Sequence, residues 1–464
     1  MIFKQYYLGC LSHASYLIGD EETATAVIVD PQRDVDQYMA DAEEFGLLIQ
    51  YVFLNHFHAD FVAGHLELRD LTGAQICLGE KAESDFAALH FADGETLDVG
   101  QVRFKVLETP GHTPEGISIL VYDMARDAEN PHSVLTGDTM FIGDVGRPDL
   151  LGSLGVAADD LAKMLYKSIQ EKLMPLPDET LVYPAHGAGS LCGRSLSTDT
   201  VSTMGEQRRY NYALQPMSEQ DFVTLVTSDQ PEAPQYFVYD AVMNRKERQT
   251  LDESLKRALK PLSVQDTLRL QREGAQLLDV REPADYEGAH FTNSLNIGLG
   301  GRFATFAGML LDQENPIVII AEPGREEEGA LRLGRIGYDH VAGYLEGGMA
   351  SLENLPEAVE RTVRITPATL AERLNTPDSP VVLDVRTDGE VKQKRIENSQ
   401  HIPVHQLRER ISEVPQDRDV AVYCESGYRS AMAMGILEQE GFTNALHIVG
   451  GIAAWQASQL ETVS

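Results

Sequence analysis

A chain of 464 residues is too long for one hydrophobic core and implies several domains, and none of its apolar runs is long enough to span a bilayer. Acidic residues outnumber basic ones 72 to 38, a formal charge of −34, so neither nucleic acid nor a membrane surface is expected as a partner. The four cysteines, Cys10, Cys77, Cys192 and Cys424, form no CxxC pair, which argues against a disulfide framework or a zinc knuckle and for a reducing, cytoplasmic setting.

In chain order, the opening Met1-Ile2-Phe3-Lys4-Gln5-Tyr6 lacks a long apolar region and a cleavage site, and reads as a first strand, with residues 15–19 as the next. Residues 26–31 form a strand ending in a turn, and 35–45 have helical spacing. Further apolar strands fall at 51–54, 75–78, 104–107 and 118–122, and a helix over 158–174 is closed by Pro175. Residues 201 to about 259 are polar and helical, and are read as extra helices followed by a linker. Beyond them the chain repeats itself. Leu277-Leu278-Asp279-Val280-Arg281 is echoed by Val382-Leu383-Asp384-Val385-Arg386, and Gly347-Gly348-Met349-Ala350 by Gly450-Gly451-Ile452-Ala453. Two α/β units of about 100 residues each fit this pattern.

The first half is organised around Asn55-His56-Phe57-His58-Ala59-Asp60-Phe61, at the end of the 51–54 strand. Two histidines one residue apart at a strand end point the same way, toward one small ion. Gly111-His112-Thr113, Gly137-Asp138-Thr139 and Pro184-Ala185-His186-Gly187 follow. One such histidine would cap a strand or satisfy a core bond. Four histidines and two aspartates on turn-like dipeptides point to a divalent metal of intermediate hardness.

His56, His58, Asp60, His112, Asp138 and His186 together resemble the motif of the metallo-β-lactamase superfamily. The resemblance implies an αβ/βα sandwich with metal where its two sheets meet. One residue departs from the pattern of dinuclear hydrolases, HxHxDH: its last histidine, a ligand of the second metal, is here Phe61. A phenyl ring cannot ligate, so a single ion is expected. Two histidines and a carboxylate with open positions describe the facial triad of non-haem Fe(II) enzymes. His56, His112 and Asp138 are the expected ligands of one Fe(II) per chain, with His58, Asp60 and His186 orienting them or bound water. Ile142-Gly143-Asp144-Val145-Gly146-Arg147-Pro148-Asp149 resembles the persulfide dioxygenase branch, as does the opening Phe3-Lys4-Gln5 with Ala14-Ser15-Tyr16. That resemblance implies oxidation of a small thiol persulfide by O₂ to sulfite and thiol. Arg147 and Asp149 would brace the site's loop. Arg194 and Arg208 are candidates to hold the thiol carrier. Cys192, in a Gly- and Ser-rich loop that suggests exposure, is a candidate sulfur relay at the pocket rim.

In the last repeat, Cys424-Glu425-Ser426-Gly427-Tyr428-Arg429-Ser430 joins a strand to a helix. This CxxGxRS loop resembles the rhodanese active site. Inward N–H groups, the helix dipole and Arg429 would favour the thiolate of Cys424, which could accept a sulfane sulfur and pass it to sulfite as thiosulfate. The preceding repeat has Ala321 at the corresponding position and Glu326-Glu327-Glu328 after it, so it is expected to be a rhodanese-like unit without sulfur chemistry, a spacer or docking surface.

The expected organisation is multidomain, α/β and α+β. A metallo-β-lactamase sandwich spans 1–255, a rhodanese-like domain without the cysteine 260–357, and a rhodanese domain 362–464. Expected partners are a small thiol persulfide, O₂ and sulfite. The helical segment after the metal domain offers a surface for pairing two copies, and a homo-oligomer is expected. Two rival readings are a glyoxalase II-type thioester hydrolase fused to a sulfurtransferase, and a non-enzymatic sulfur-relay scaffold.

Overall fold

The computed structural model describes residues 1–150, 155–194, 196–228, 230, 234 and 236–463. The chain divides into two compact units: Met1–Leu251 with the short piece Gly334–Gly337, and Asp252–Leu333 with Tyr338–Ser464. No helix among the described residues is long and apolar enough to cross a membrane.

The first unit holds two six-stranded sheets. One runs in chain order from Ile2–Leu8 through His13–Asp20, Thr25–Val29, Leu48–Phe53 and Gln75–Gly79 to Leu89–Phe91. The other is ordered Ser202–Thr203, Leu181–Pro184, Ser133–Gly137, Ile117–Asp123, Val102–Glu108, Thr96–Val99. The sheets face each other across Tyr16, Val27, Val29 and Phe53 from the first and Phe104, Val106, Ile119 and Leu135 from the second, all buried. Both outer faces are covered. The helix Asp36–Glu44 places Tyr38 and Ala42 against Leu17, Ile28 and Val52. The helix Ala158–Ser168 places Leu161, Ala162 and Leu165 inward, and Leu165 packs with Phe222 and Val226 of the helix Glu219–Thr227 over the second sheet. The predicted long helix over 158–174 is interrupted. After Ser168 it loosens into a wider turn over Ile169–Leu173, and Pro175 stops it. Ser133–Gly137 and Leu181–Pro184, which were not predicted, are short strands paired in parallel in the second sheet. Both end at the metal motifs.

The second unit holds two five-stranded, all-parallel sheets of the same order. The first is Pro261–Leu262, Val341–Leu345, Ile317–Ile320, Gln276–Asp279, Leu295–Asn296. The second is Arg364–Ile365, Ala445–Ile448, Val420–Tyr423, Val381–Asp384, Gln400–His401. The repeat seen in the sequence is therefore a repeat of topology. Each copy fixes its central loop with the same buried ion pair. Arg281 Nη2 lies 2.6 Å from Asp279, and Arg386 Nη2 lies 2.7 Å from Asp384.

Candidate metal centre and sulfur loop

The six motif residues each sit beyond the end of a strand. His56, His58 and Asp60 follow Leu48–Phe53, His112 follows Val102–Glu108, Asp138 follows Ser133–Gly137 and His186 follows Leu181–Pro184. The loops are stitched together by backbone bonds: Ala14 N–H donates to Ala185 C=O at 2.7 Å, Gly187 N–H to Ser12 C=O at 2.9 Å and Ala185 N–H to Gly137 C=O at 3.0 Å. Two glycines allow the close approach. Gly137 has φ +52°, a left-handed conformation, and a Cβ there would lie 2.8 Å from that of Asn55. A Cβ on Gly146 would lie 1.9 Å from the Asp138 carbonyl oxygen and 3.0 Å from His112 Nδ1.

His56, His112 and Asp138 each place a ligand atom within 4.8 Å of the others, and all three are buried. His56 Nε2 and His112 Nε2 lie 3.8 and 3.5 Å from Asp138 Oδ2. His112 Nδ1 lies 2.9 Å from the Arg147 carbonyl, so that nitrogen carries the proton and Nε2 presents its lone pair to the pocket. Burial, followed by the neighbouring His58, His112, His186 and His13 rings, holds His56 well below the usual imidazole range, so its ring is neutral. Burial also lowers His112. Neither oxygen of Asp138 receives a hydrogen bond from the described residues. A buried carboxylate with no donors, facing neutral imidazoles, is the arrangement a divalent cation satisfies. These residues fit a metal ion.

His58, Asp60 and His186 form a neighbouring group, with ligand atoms again within 4.8 Å of one another. His186 Nε2 lies 3.5 Å from Asp60 Oδ1 and 3.6 Å from Asp138 Oδ1. His58 Nε2 is 3.0 Å from Asp30 Oδ1, which also accepts the Asn55 N–H at 2.8 Å. Burial opposes charge on His58, but Asp30, Asp138 and Asp60 outweigh it and raise the imidazole's pKa. The Phe61 ring fills this corner, with its centroid 4.5 Å from that of His58 and 4.0 Å from that of His13. His13 and Asp30 were missed from the sequence. His13 opens a strand and Asp30 follows the end of one, positions that carry no metal-motif spacing.

Arg147 is buried and holds Asp149 with two bonds of 2.7 Å. Its backbone N–H donates to the Cys192 carbonyl at 3.0 Å. One residue thus ties the 144–149 loop, the 190s loop and the His112 ring together. Cys192 is not exposed as its loop composition suggested. It is 1 % accessible, and its sulfur lies among the ligand atoms of Asp138 and His186. Burial first, then Asp60 and Asp138, push its thiol well above the usual range, so it is held protonated. Arg208 is committed elsewhere: it pairs with Asp178 and donates to the carbonyls of Met174 and Leu176. Arg194 is exposed, and its backbone N–H donates to Asp144 Oδ2 at 2.8 Å.

In the second unit, Cys424 ends the strand Val420–Tyr423, and the helix Tyr428–Gln439 begins just after it. Gly427, at φ +126°, turns its N–H onto Cys424 Sγ at 3.1 Å, and Ser430 Oγ lies 3.4 Å away. Ser426 is exposed, Glu425 lies 3.4 Å from Arg386 and 3.3 Å from Lys394, and Tyr428 O–H donates to the Gly298 carbonyl at 2.6 Å. Arg429 does not face the sulfur as a free charge. Its guanidinium bonds both oxygens of Glu390 at 2.6 and 2.7 Å, so the positive potential expected from it is largely neutralised, and the anion-binding work falls to N–H groups and the helix end.

Residues 8–186 match the model of the metallo-beta-lactamase superfamily, and residues 263–355 and 366–458 each match that of the rhodanese-like domain. Human mitochondrial persulfide dioxygenase ETHE1 is 33% identical over 215 residues, which is 46% of this chain and 75% of that protein. A sulfurtransferase of Allochromatium vinosum is 39% identical over 95 residues, 20% of this chain and 89% of that protein. Among solved structures, a metallo-beta-lactamase from Staphylococcus aureus subsp. aureus COL is 34% identical with a TM-score of 0.67, over 74% of this chain and 98% of that one. The chain belongs to the metallo-β-lactamase superfamily, in the form that joins a domain related to persulfide dioxygenases to two rhodanese-like domains.

Proposed function

We propose that this enzyme oxidises a low-molecular-weight thiol persulfide with O₂ and H₂O to sulfite and the free thiol at one iron(II) per chain, and that Cys424 passes a sulfane sulfur to sulfite to give thiosulfate. The observation that carries the reading is the buried Asp138 carboxylate, without hydrogen-bond donors, set against the ring nitrogens of His56 and His112. Iron bound there would supply redox chemistry and open coordination positions for sulfur and O₂. The chain's own residues orient and dry the pocket. The Arg147 carbonyl fixes the His112 tautomer, Asp30 holds His58, and the rings of Phe61 and Phe141 pack beside His186 with centroids 6.4 and 6.2 Å away. Domain limits of 1–255, 260–357 and 362–464 go with this reading.

Cys424 is the nucleophile of the second step, with the Gly427 N–H on its sulfur to stabilise negative charge. Its electron pair forms a bond to the donor's terminal sulfur, and the carrier leaves as a thiolate. The sulfur then moves to sulfite and Cys424 is regenerated.

Oxygen uptake by the iron-loaded chain, given glutathione persulfide, tests the first step, with sulfite assayed alongside. No uptake with any small persulfide removes the reading. His112→Ala is expected to abolish iron binding and O₂ uptake and to spare sulfur transfer. A second reading, a thioester hydrolase with two metal ions, has one observation in its favour: the grouping of His58, Asp60 and His186. Two ions per chain and thioester hydrolysis would replace iron oxidation by that chemistry.

A further inference from the structure

The sulfur loop is not completed by its own repeat alone. Ser430 Oγ, 3.4 Å from Cys424 Sγ, lies 2.6 Å from His447 Nε2. The other nitrogen of that ring, Nδ1, lies 2.9 Å from Oε1 of Glu287, an ion-pair contact whose angle falls short of a hydrogen bond. Glu287 belongs to the helix Pro283–Gly288 of the repeat that lacks a cysteine. All four groups are buried: Cys424 at 1 %, Ser430 at 0 %, His447 at 2 % and Glu287 at 6 % accessibility. Nothing in sulfur transfer by Cys424 alone requires a histidine and a carboxylate in line behind it.

We propose that Glu287 is a positioning residue for Cys424: its carboxylate, close beside the His447 ring, favours the imidazolium form, so that Nε2 draws the Ser430 proton and Ser430 in turn takes the thiol proton. This rests on Cys424 being the sulfur carrier. The chemistry balances in protons alone. The S–H bond breaks and its electron pair stays on sulfur. That proton goes to Ser430 Oγ, and the serine's own proton goes to His447 Nε2. The imidazolium formed lies against the Glu287 carboxylate, which offsets its charge. When the carrier thiolate leaves, the proton can return along the same line.

The surroundings are charged on several sides. Arg364 Nη1 lies 3.5 Å from Glu287 Oε2, and Arg364 is paired with His447 across the neighbouring strands. Arg429 with Glu390, and Arg386 with Asp384 and Glu425, flank the loop as pairs. His290, on the strand after the Glu287 helix, is paired with Glu438 at 2.7 Å. Ser430 Oγ has one alternative acceptor, the Gly427 carbonyl at 3.1 Å. His447 Nε2, at 2.6 Å, is the shorter choice.

The test is a pH titration of the Cys424 thiolate in the full chain, read as ultraviolet absorbance against the same chain carrying Cys424→Ser. Glu287→Gln is expected to move the curve to higher pH by about one unit, tenfold in the ratio of thiolate to thiol. A merely structural role would lower sulfur transfer equally at every pH and leave the curve in place. Glu287→Asp should return part of the shift. Ser430→Ala should also raise the curve, and Glu287→Gln added to it should move it no further, because the link to His447 is already cut. An unmoved or lowered curve in Glu287→Gln overturns the proposal, as does a full second shift in the double variant. If Glu287→Gln does not fold, Ser430→Ala alone decides, and an unmoved curve there overturns it. Failure of the native chain to transfer sulfur would instead sink the sulfur-carrier reading, and the titration would be unaffected.

Discussion

The two repeats of the second unit carry the same frame and differ in the loop. Both sheets have one strand order, and both fix an arginine on an aspartate two residues before it, Arg281 on Asp279 and Arg386 on Asp384. Both end in a pair of left-handed glycines, Gly347 and Gly348 at φ +74° and +55°, Gly450 and Gly451 at +71° and +57°. A Cβ on Gly348 would lie 2.7 Å from the Ala321 carbonyl oxygen, and one on Gly451 2.3 Å from that of Cys424. The same backbone contact thus faces alanine in one copy and cysteine in the other. What separates a sulfur site from a scaffold is a few side chains laid on a retained backbone.

The largest effect that sharpens this contrast is Cys424→Ser. Sulfur transfer should fall by about 10³-fold or more, because no other nucleophile lies on the loop, and O₂ uptake by the metal unit should stay. Equal loss of both activities would show that the two sites are not independent. The next effect should be shared by the repeats. Asp384→Asn removes the buried carboxylate nearest Arg386 and leaves only the half-exposed Glu425 at 3.4 Å, and urea unfolding of the full chain should show a loss of about 3 kcal/mol. Asp279→Asn should be milder, since Arg281 is slightly exposed and Asp384 alone has a tyrosine, Tyr423, donating to it at 2.5 Å. A larger loss at Asp279 would break the idea that the active copy is the more tightly built.

Much of this frame was legible in the sequence, for physical reasons. The echo of Leu-Asp-Val-Arg marks a strand end where the pleat and a buried ion pair must coincide. The HxHxD spacing at a strand end forces side chains to one side. The missing parts depend on residues far apart in the chain. Arg429 looked like free positive charge, but Glu390 lies beside it in space. Cys192 looked exposed because its loop is rich in Gly and Ser, yet the Arg147 N–H holds its carbonyl and the fold closes over it. Glu287 and His447 carry no motif, and only the packing of one repeat on the other brings them together.

The Arg429–Glu390 pair also supplies a pH signature that the other repeat lacks. Burial opposes the Glu390 charge, but Arg429 and Thr387 outweigh it and hold its pKa at about 2, well below the usual glutamate range. A depressed carboxylate contributes stability that is present above its unfolded pKa and lost as pH falls through the folded one. The stability difference between the native chain and Glu390→Gln should therefore shrink as pH drops from about 4.5 toward about 2. A difference that stays constant across that window would mean the pair contributes nothing. In the first repeat the position matching Arg429 is Glu326, so no such pair forms there.

The smallest expected effect is none at all. Ala321→Cys puts a sulfur at the buried position that matches Cys424. It should still give no sulfur transfer, measured in a Cys424→Ser chain. In the active copy the Gly427 N–H donates to the sulfur at 3.1 Å. In the other, the matching Gly324 N–H donates to Glu326 Oε2 at 2.7 Å. The carboxylate has taken the donor that an anionic sulfur would need, and it adds negative charge beside it. Adding Glu326→Arg to Ala321→Cys frees that N–H and removes the repulsion, and the double variant should be the first to show measurable transfer. Activity from Ala321→Cys alone would mean that the nucleophile, and not its donors, was all that the repeat had lost.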